Sequence, residues 1–152
     1  MIYSDTREKK NSHILDYFQR HNIEYEVKKL DTADYWNSEN PNVVVDRKKD
    51  LSECATNMCS PDSSRFWKEL RRAYSEKKKL IILVEHGGQI KSLQDVSTWK
   101  SKYSTITGSR LQSEMYRIAI AYGVQWEFCS KKSTGKRIVE LLEIKKGINH
   151  AR

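Results

Sequence analysis

Three acidic residues and one lysine lie where strands are predicted to begin or end. Asp5 follows the apolar start of the chain, Asp34 precedes two aromatic residues, and Asp46 and Lys48 follow three valines. Carboxylates converging at the rim of a sheet would form an oxygen-rich site for Mg²⁺, which keeps several waters for a phosphate ligand. The lysine could stabilise a pentacovalent phosphate, or help to orient and deprotonate the attacking water. The alternative is that these are surface carboxylates in turns.

The pair Asp46 and Lys48 is distinguished by its context. An acid followed two residues later by a lysine occurs five times in the chain, so the spacing alone indicates little. The run Val43-Val44-Val45 has no period-2 alternation, which is typical of a strand buried on both faces at the centre of a mixed sheet. Open α/β folds place their sites at the carboxyl ends of such strands. Rigid backbone is therefore predicted to hold this one pair.

The other elements are predicted to alternate between strands and helices. Apolar runs and period-2 alternation predict strands over 2–5, 23–29, 43–47, 80–85 and 124–129, with one more short strand optional before residue 43. Helical spacing of apolar residues predicts helices over 11–21, 50–58, 92–100, 109–122 and 133–143, and one that opens at Pro61. Asp50 and Ser109 are the predicted N-caps of two of them. The expected fold class is α/β, with a central mixed β-sheet flanked by helices.

The composition favours a polyanionic partner. The chain of 152 residues has 28 Lys and Arg against 20 Asp and Glu, which gives a net charge of +8 and a pI near 9.4. Such a balance favours nucleic acid, although a basic surface can also serve solubility alone. The predicted helix after Pro61 has basic side chains largely outside its apolar stripe, which could hold a phosphate backbone or simply be solvated, namely Arg65, Lys68, Arg71 and Arg72.

Other classes of protein are disfavoured. Three cysteines without a CxxC pair and four scattered histidines argue against a zinc site. The sequence has no long apolar run and no recognisable signal peptide, so we expect an intracellular chain without membrane association. One domain is expected over 1–144, with a flexible basic tail over 145–152. The polar loop over 102–108 could contact a ligand or be a linker.

Several short motifs together resemble a known nuclease family. Asp34 with Asp46-Arg47-Lys48 fits the PD-(D/E)xK nuclease pattern. Within that superfamily, Ser4-Asp5-Thr6-Arg7-Glu8 resembles the V-D-x-R-E opening of the XPF-type structure-selective nuclease domain. Ala33-Asp34-Tyr35 resembles its G-D-Y element, and Val45-Asp46-Arg47-Lys48 its V-E-R-K strand. Downstream, Arg65-Phe66 and the run 81–85 are similar to the family's arginine-bearing helix and its next buried strand, so the resemblance covers nearly the whole chain. The stretch Thr134-Gly135-Lys136-Arg137, with its apolar helix, resembles the small phage-associated or bacterial members.

The resemblance implies a fold and an activity. The fold would be a restriction-endonuclease-like core, and the activity a Mg²⁺- or Mn²⁺-dependent endonuclease that cleaves branched or flap DNA in recombination or repair. It would act in the cytoplasm of a bacterial or phage-infected cell. Asp34 and Asp46 would bind the metal, Asp5 would complete or orient its shell, and Lys48 would assist the water or the transition state. The residues that would bind DNA phosphate are Arg65, Lys68 and Arg72, with Arg7 and Arg47 either binding phosphate or buttressing the carboxylates.

The sequence also departs from the family pattern. Ala33 replaces the glycine, Asp46 replaces the glutamate, and a further acid of the family falls on Ser52, where Asp50 and Glu53 are the nearest carboxylates. Two alternatives therefore stay open. One is a Holliday-junction-resolvase-like or restriction-type nuclease with the same site. The other is a non-catalytic DNA-binding subunit, against which the retained Asp-x-Lys pair argues.

A homodimer is also expected, because many relatives of this nuclease domain form pairs. One candidate surface is the predicted helix over 109–122, whose apolar stripe could instead pack in the core: Leu111, Met115, Ile118 and Tyr122. The last strand and helix form the other candidate surface.

Overall fold

The computed structural model describes residues 1–60, 63–102 and 105–144. Within these ranges the chain forms one six-stranded mixed sheet, with the strand order β2-β1-β3-β4-β5-β6. The strands are β1 (Ile2–Ser4), β2 (Tyr25–Val27), β3 (Tyr35–Asn37), β4 (Val43–Lys48), β5 (Lys79–Val84) and β6 (Gln125–Phe128). The predicted α/β class is confirmed, and β3 is the short strand that the sequence left optional.

Helices cover both faces of the sheet. They are α1 (Ser12–Arg20), α2 (Leu51–Cys59), α3 (Ser64–Ser75), α4 (Gly108–Tyr122) and α5 (Thr134–Leu141), with 3₁₀ helices at Leu93–Thr98 and Lys131–Ser133. Buried side chains of α2, α3 and α4 form one core with the sheet, and those of α1 and α5 form a second core on the other face. These two layers bury the central strands from both sides.

The direction of the strands gathers several loops at one edge of the sheet. β3 is antiparallel to β1 and to β4, while the other neighbouring strands are parallel. All strands except β3 therefore end at the same edge, and β3 begins there. Residues that follow β1, β4, β5 and β6, and those that precede β3, consequently meet at this edge.

The prediction of a doubly buried central strand is confirmed. Val44 and Val45 of β4 are 1% and 0% exposed, and they contribute to the two different cores. β5 is buried from Leu80 to Val84. Because successive residues of a strand alternate between faces, Asp46 and Lys48 lie on the face of Val44, and Arg47 lies on the face of Val45.

One helix start and one helix type differ from the predictions. The Asp50 cap is confirmed, since its side chain accepts a hydrogen bond from the Glu53 backbone N–H. The predicted Ser109 cap is wrong, because α4 begins one residue earlier and is capped by Thr107. A Cβ on Gly108 would lie 2.5 Å from the Val96 carbonyl oxygen, so only glycine permits this close approach. The predicted helix over 92–100 is a 3₁₀ helix, Leu93–Thr98.

Some predictions concern residues outside the described ranges, and others concern residues that are buried in the structure. The predicted tail over 145–152, residues 103 and 104 of the polar loop, and residues 61 and 62 lie outside the described residues, whereas the helix predicted after Pro61 is confirmed as α3, with Phe66, Leu70 and Ala73 buried. Leu111, Met115 and Ile118 lie on the buried face of α4 and are fully buried. They therefore cannot form the dimer surface that the sequence suggested. In the described parts of the chain, no helix is long and apolar enough to cross a membrane.

Candidate active site

Asp34 and Asp46 lie side by side where β3 and β4 pair. The backbone N–H of Asp34 donates to the Val45 carbonyl at 3.0 Å, and the Arg47 N–H donates to Asp34 Oδ2 at 2.9 Å. The two carboxyl groups are hydrogen-bonded to each other. Burial and the charge of Asp46 raise the pKa of Asp34 well above its usual value. Of the two carboxyl groups, Asp34 is therefore the one that is protonated more readily.

Lys48 neutralises Asp46 from the same face of β4. Its Nζ lies 3.0 Å from Asp46 Oδ2, and its side chain is 12% exposed. Burial opposes the lysine's charge, but Asp46 and Glu69 raise the pKa of Lys48 above its usual value. Burial likewise opposes the charge of Asp46, yet Lys48 and the hydrogen bond from Asp34 lower the Asp46 pKa. A permanently charged lysine is suited to stabilising negative charge on a phosphate.

Glu69 of α3 is a third carboxylate in the site, which the sequence analysis did not identify. Its Oε2 accepts a hydrogen bond from the Ala33 backbone N–H at 3.2 Å, and its carboxyl group is hydrogen-bonded to Asp46. Burial and the neighbouring Asp46 raise the pKa of Glu69 to about 8. One feature of the sequence could have identified Glu69. It lies three residues after Phe66 and four before Ala73, so an acidic side chain falls within the apolar stripe of the helix.

Ala33 has a left-handed backbone conformation, with φ of +64°. This is the position at which the resembling motif has glycine, and the left-handed region costs a residue with a Cβ about 1–2 kcal/mol. The hydrogen bond from Ala33 to Glu69 helps to hold this turn. This turn places Asp34 directly before β3.

Asp5 supports the turn that leads to Asp34. Its Oδ1 accepts from the Leu30 N–H at 2.7 Å, and its Oδ2 accepts from Arg7 Nε at 2.8 Å. Despite burial, these hydrogen bonds lower the pKa of Asp5 below its usual value. The Asp5 N–H also donates to the Asp34 carbonyl at 2.8 Å. Both carboxylate oxygens of Asp5 are therefore engaged within the protein.

Arg47 lies on the opposite face of β4 and is buttressed by two acids. Its Nε and Nη2 donate to the carboxylate of Glu8 at 2.7 and 3.0 Å, and its Nη1 donates to Glu85 Oε1 at 2.6 Å. The Arg47 side chain is 8% exposed. Glu85 is further held by His13 Nε2 at 2.6 Å and by the Thr134 hydroxyl. Of the two roles predicted for Arg47, this arrangement favours support of the site.

A cleft of about 850 Å³ opens above the acids. Asp34, Asp46, Lys48 and Glu69 line it together with Asp5 and Arg7. Three exposed basic side chains of α3, spaced by three and four residues, also line it and so share one face of the helix, namely Arg65, Lys68 and Arg72. Arg72 donates to the Asp31 carbonyl. An acidic floor with a basic rim suits a phosphate chain bridged to the floor by a cation.

The acids near Ser52 have local roles. Asp50 caps α2 through its hydrogen bond from Glu53 N–H at 2.9 Å, and Glu53 Oε1 accepts from the Lys49 N–H at 2.8 Å. Glu53 also lines the cleft. Of these two carboxylates, only Glu53 lines the same cleft as Asp46.

The donor set fits a hard divalent cation. Asp34, Asp46 and Glu69 offer oxygen ligands only, and Asp46 Oδ2 is buried without a hydrogen-bond partner, with Lys48 nearby as its counter-charge. Among the described residues, no group of three His, Cys, Asp or Glu side chains is arranged to bind a metal. Mg²⁺ needs only one or two carboxylates, because waters complete its shell. Burial first, and then the negative charge of Asp46, raise the pKa values of Asp34 and Glu69, and a bound cation would offset the repulsion from Asp46.

Comparisons with known proteins agree with this geometry. A family model described as the ERCC4 domain matches residues 4–141. The solved structure of XPF from Aeropyrum pernix is 18% identical, with a TM-score of 0.70 over 99% of this chain and 69% of that one. XPF from Aeropyrum pernix in complex with DNA is 20% identical, with a TM-score of 0.68 over 93% and 62% of the two chains. Comparison with curated proteins gave no match. The resemblance to the XPF-type nuclease domain is thus confirmed, and the chain belongs to the ERCC4 domain family.

Proposed function

We propose that the protein is an endodeoxyribonuclease that depends on Mg²⁺ or Mn²⁺ and cleaves branched or flap DNA in recombination or repair. The observation that carries this proposal is the cluster of Asp34, Asp46 and Glu69 beside the charged Lys48 at the floor of a basic-rimmed cleft. Membership of the ERCC4 domain family supports the same activity.

The metal would be held by Asp34 and Asp46, with Glu69 next to them. When bound, such an ion supplies Lewis acidity and lowers the pKa of a bound water, which is the chemistry that phosphodiester hydrolysis requires. Asp5 would act by orientation, because both of its carboxylate oxygens are already engaged by Leu30 and Arg7.

Lys48 would stabilise the negative charge that develops on the scissile phosphate. It is held charged 3.0 Å from Asp46, so its ammonium group needs no proton transfer before it acts. An interaction directed at transition-state charge accelerates the chemical step itself. Replacement of Lys48 should therefore lower kcat more than it alters substrate binding.

The basic rim would bind the DNA backbone. Arg65, Lys68 and Arg72 share one side of the cleft, and Arg7 lines it as well. XPF from Aeropyrum pernix has been solved in complex with DNA, which supports DNA as the partner here. The preference for branched or flap DNA rests on the likeness to a structure-selective domain.

We also propose a homodimer, through a surface that differs from the one first considered. Tyr116 and Ile120 lie one turn apart on α4, and they are 40% and 85% exposed. These two exposed apolar side chains are the candidates for burial between subunits, because the centres of interfaces are enriched in aromatic residues and depleted in charged ones. Ile120→Asp should therefore shift the mass measured by light scattering from dimer to monomer. A monomeric wild-type protein, with and without DNA, would remove this part of the proposal.

The decisive experiment is cleavage of single-stranded, duplex, flap and four-way DNA, with Mg²⁺, with Mn²⁺ and with EDTA. Asp46→Asn keeps shape and hydrogen-bonding capacity but removes the charge that holds a metal, so cleavage should fall by at least about 100-fold while the fold is retained. Asp16→Asn on the exposed side of α1 is the matched control, because it makes the same change of net charge outside the cleft.

The alternatives give different results in this assay. A Holliday-junction-resolvase-like enzyme would prefer the four-way substrate, and a restriction-type enzyme would cut plain duplex. A DNA-binding subunit would show no metal-dependent cleavage by the wild type. If the wild type and Asp46→Asn cleaved DNA at the same rate, the assignment of Asp46 to the catalytic site would be wrong.

A further inference from the structure

A second depression lies beside the active-site cleft. It has a volume of about 440 Å³, and the two depressions share Arg7, Glu8, Arg47 and Glu53 in their walls. Because Arg47 lies on the opposite face of β4 from Asp46, the surface continues from the α3 side across the edge of the sheet. The two depressions therefore form one continuous surface.

Four lysines from three separate segments line this second depression. Lys9 and Lys10 follow β1, Lys49 follows β4, and Lys131 follows β6. The parallel arrangement of these strands brings the four positions to one edge. All four residues are exposed. No ion pair among the described residues involves their side chains.

The acids in the same depression do not cancel this charge. Glu8 and Glu85 are buried and paired with Arg47. Asp50 and Glu53 accept hydrogen bonds from backbone N–H groups at the start of α2. Backbone hydrogen bonds do not neutralise a carboxylate, but four exposed lysines outnumber these two partly exposed acids, so the charge presented to solvent is positive.

We propose that Lys9, Lys10, Lys49 and Lys131 form a lysine platform that binds the phosphate backbone of a second arm of the DNA. The α3 residues Arg65, Lys68 and Arg72 hold the backbone on one side of the acids, and the platform holds its continuation on the other side. This inference rests on the proposed function for the identity of the ligand. Beyond that function, the platform identifies a part of the substrate that lies outside the cleft, the second arm, and the four lysines that bind it.

The salt dependence of DNA binding measures such contacts directly. Each lysine that neutralises a phosphate adds about 0.9 to the slope of log K against log salt concentration. The double variant Lys10→Gln/Lys131→Gln should therefore lower the slope by about 1.8 on a flap substrate whose two duplex arms have about 20 base pairs each. The measurement is made in EDTA, so it does not depend on cleavage.

The matched control is Lys77→Gln/Lys79→Gln. These lysines lie at the opposite edge, where β5 begins, and the pair makes the same change of net charge. Lys10 and Lys77 both have positive φ values, so the backbone settings are comparable too. The control should leave the slope unchanged. The single variants Lys10→Gln and Lys131→Gln, each expected to lower the slope by about 0.9, replace the double variant if it fails to fold.

A second measurement tests whether one DNA molecule spans both surfaces. Adding Arg65→Gln/Lys68→Gln to the platform variant should lower the slope on the flap substrate by about 3.6 in total, with one flap molecule bound per active-site cleft. A platform variant with the same slope as the control overturns the inference, and so does independent binding of a second flap molecule. Absence of cleavage by the wild type would instead refute the nuclease proposal, since the binding result stands apart from it.

Discussion

Asp46 and Arg47 are adjacent on β4, and their side chains lie on opposite faces of the sheet. Asp46 contacts Lys48 on the α2 and α3 side, whereas Arg47 is enclosed by Glu8 and Glu85 on the other side. The Arg47 N–H also donates to Asp34, so the same residue joins the two faces through its backbone. One strand thus presents the candidate catalytic groups and anchors them.

Arg47→Met should destabilise the protein. Removing the guanidinium leaves the buried carboxylates of Glu8 and Glu85 without their partner, which typically costs about 3–5 kcal/mol. The free energy of unfolding in urea measures this loss. Arg137→Met is the control, because Arg137 pairs with Glu127 and Glu140 at the surface, where the loss should be at most about 1 kcal/mol. Equal losses in the two variants would contradict a supporting role for Arg47.

Lys48→Met should lower kcat by about 100- to 1000-fold with little change in KM, because the lysine acts on charge that develops in the transition state. Methionine is an unbranched apolar side chain that removes the ammonium group, whose Nζ lies 5.6 Å from the centre of the Phe66 ring in the wild type. Steady-state kinetics on the preferred substrate separates the two parameters. Lys68→Met on the rim should have the reverse effect and raise KM. A Lys48 variant with normal kcat would exclude this role.

Glu69→Gln should change how stability depends on pH. The folded protein raises the Glu69 pKa from 4.5 to about 8, so the folded state holds a proton that the unfolded chain has released. The resulting stabilisation is complete below about pH 4.5 and is lost as pH rises through 8. Glutamine cannot lose this proton and keeps an acceptor for the Ala33 N–H. The variant should thus be more stable than wild type at pH 8, by on the order of 2 kcal/mol in EDTA, and equal to it near pH 4.5.

Urea unfolding between pH 4.5 and 8 tests this prediction. Glu24→Gln, which changes an exposed acid before the edge strand β2, is the control and should follow the wild-type curve. Parallel curves for wild type and Glu69→Gln would mean that Glu69 is ionised in the folded protein like an ordinary surface acid.

Much of the site could be predicted because the ends of the strands determine where its side chains lie. The valine run placed Asp46 and Lys48 on rigid backbone, and the period of a strand places them on one face. That period also places Arg47 on the other face, which argues for its supporting role. Its partner Glu85 follows the buried strand β5, and the parallel pairing of β4 with β5 brings the two together.

Contacts between distant elements could not be predicted from local patterns. Glu69 enters the site because α3 packs against β5, the strand next to β4. Helical spacing predicts which residues of a helix are buried, but not which residues they contact. The apolar stripe of α4 was equally compatible with a core or a dimer surface until packing buried Leu111 and Met115. The carbonyl groups of Val96, Ser97 and Trp99 lie close to Gly108, which is a contact between two segments that local spacing does not reveal.

Mg²⁺ should stabilise the folded protein through Asp46 and its neighbours, independently of any cleavage. A ligand at 100 times its Kd adds about 2.7 kcal/mol to the free energy of unfolding, which corresponds to a rise in Tm of roughly 5–10 °C for a chain of this size. The rise should be larger at pH 8 than at pH 5, because the raised pKa values of Asp34 and Glu69 make protons compete with the metal at the lower pH. Removal of the metal with EDTA should reverse the rise in Tm. Asp46→Asn should lose most of the rise and Asp16→Asn should keep it, so an equal rise in both variants would place the metal elsewhere on the protein.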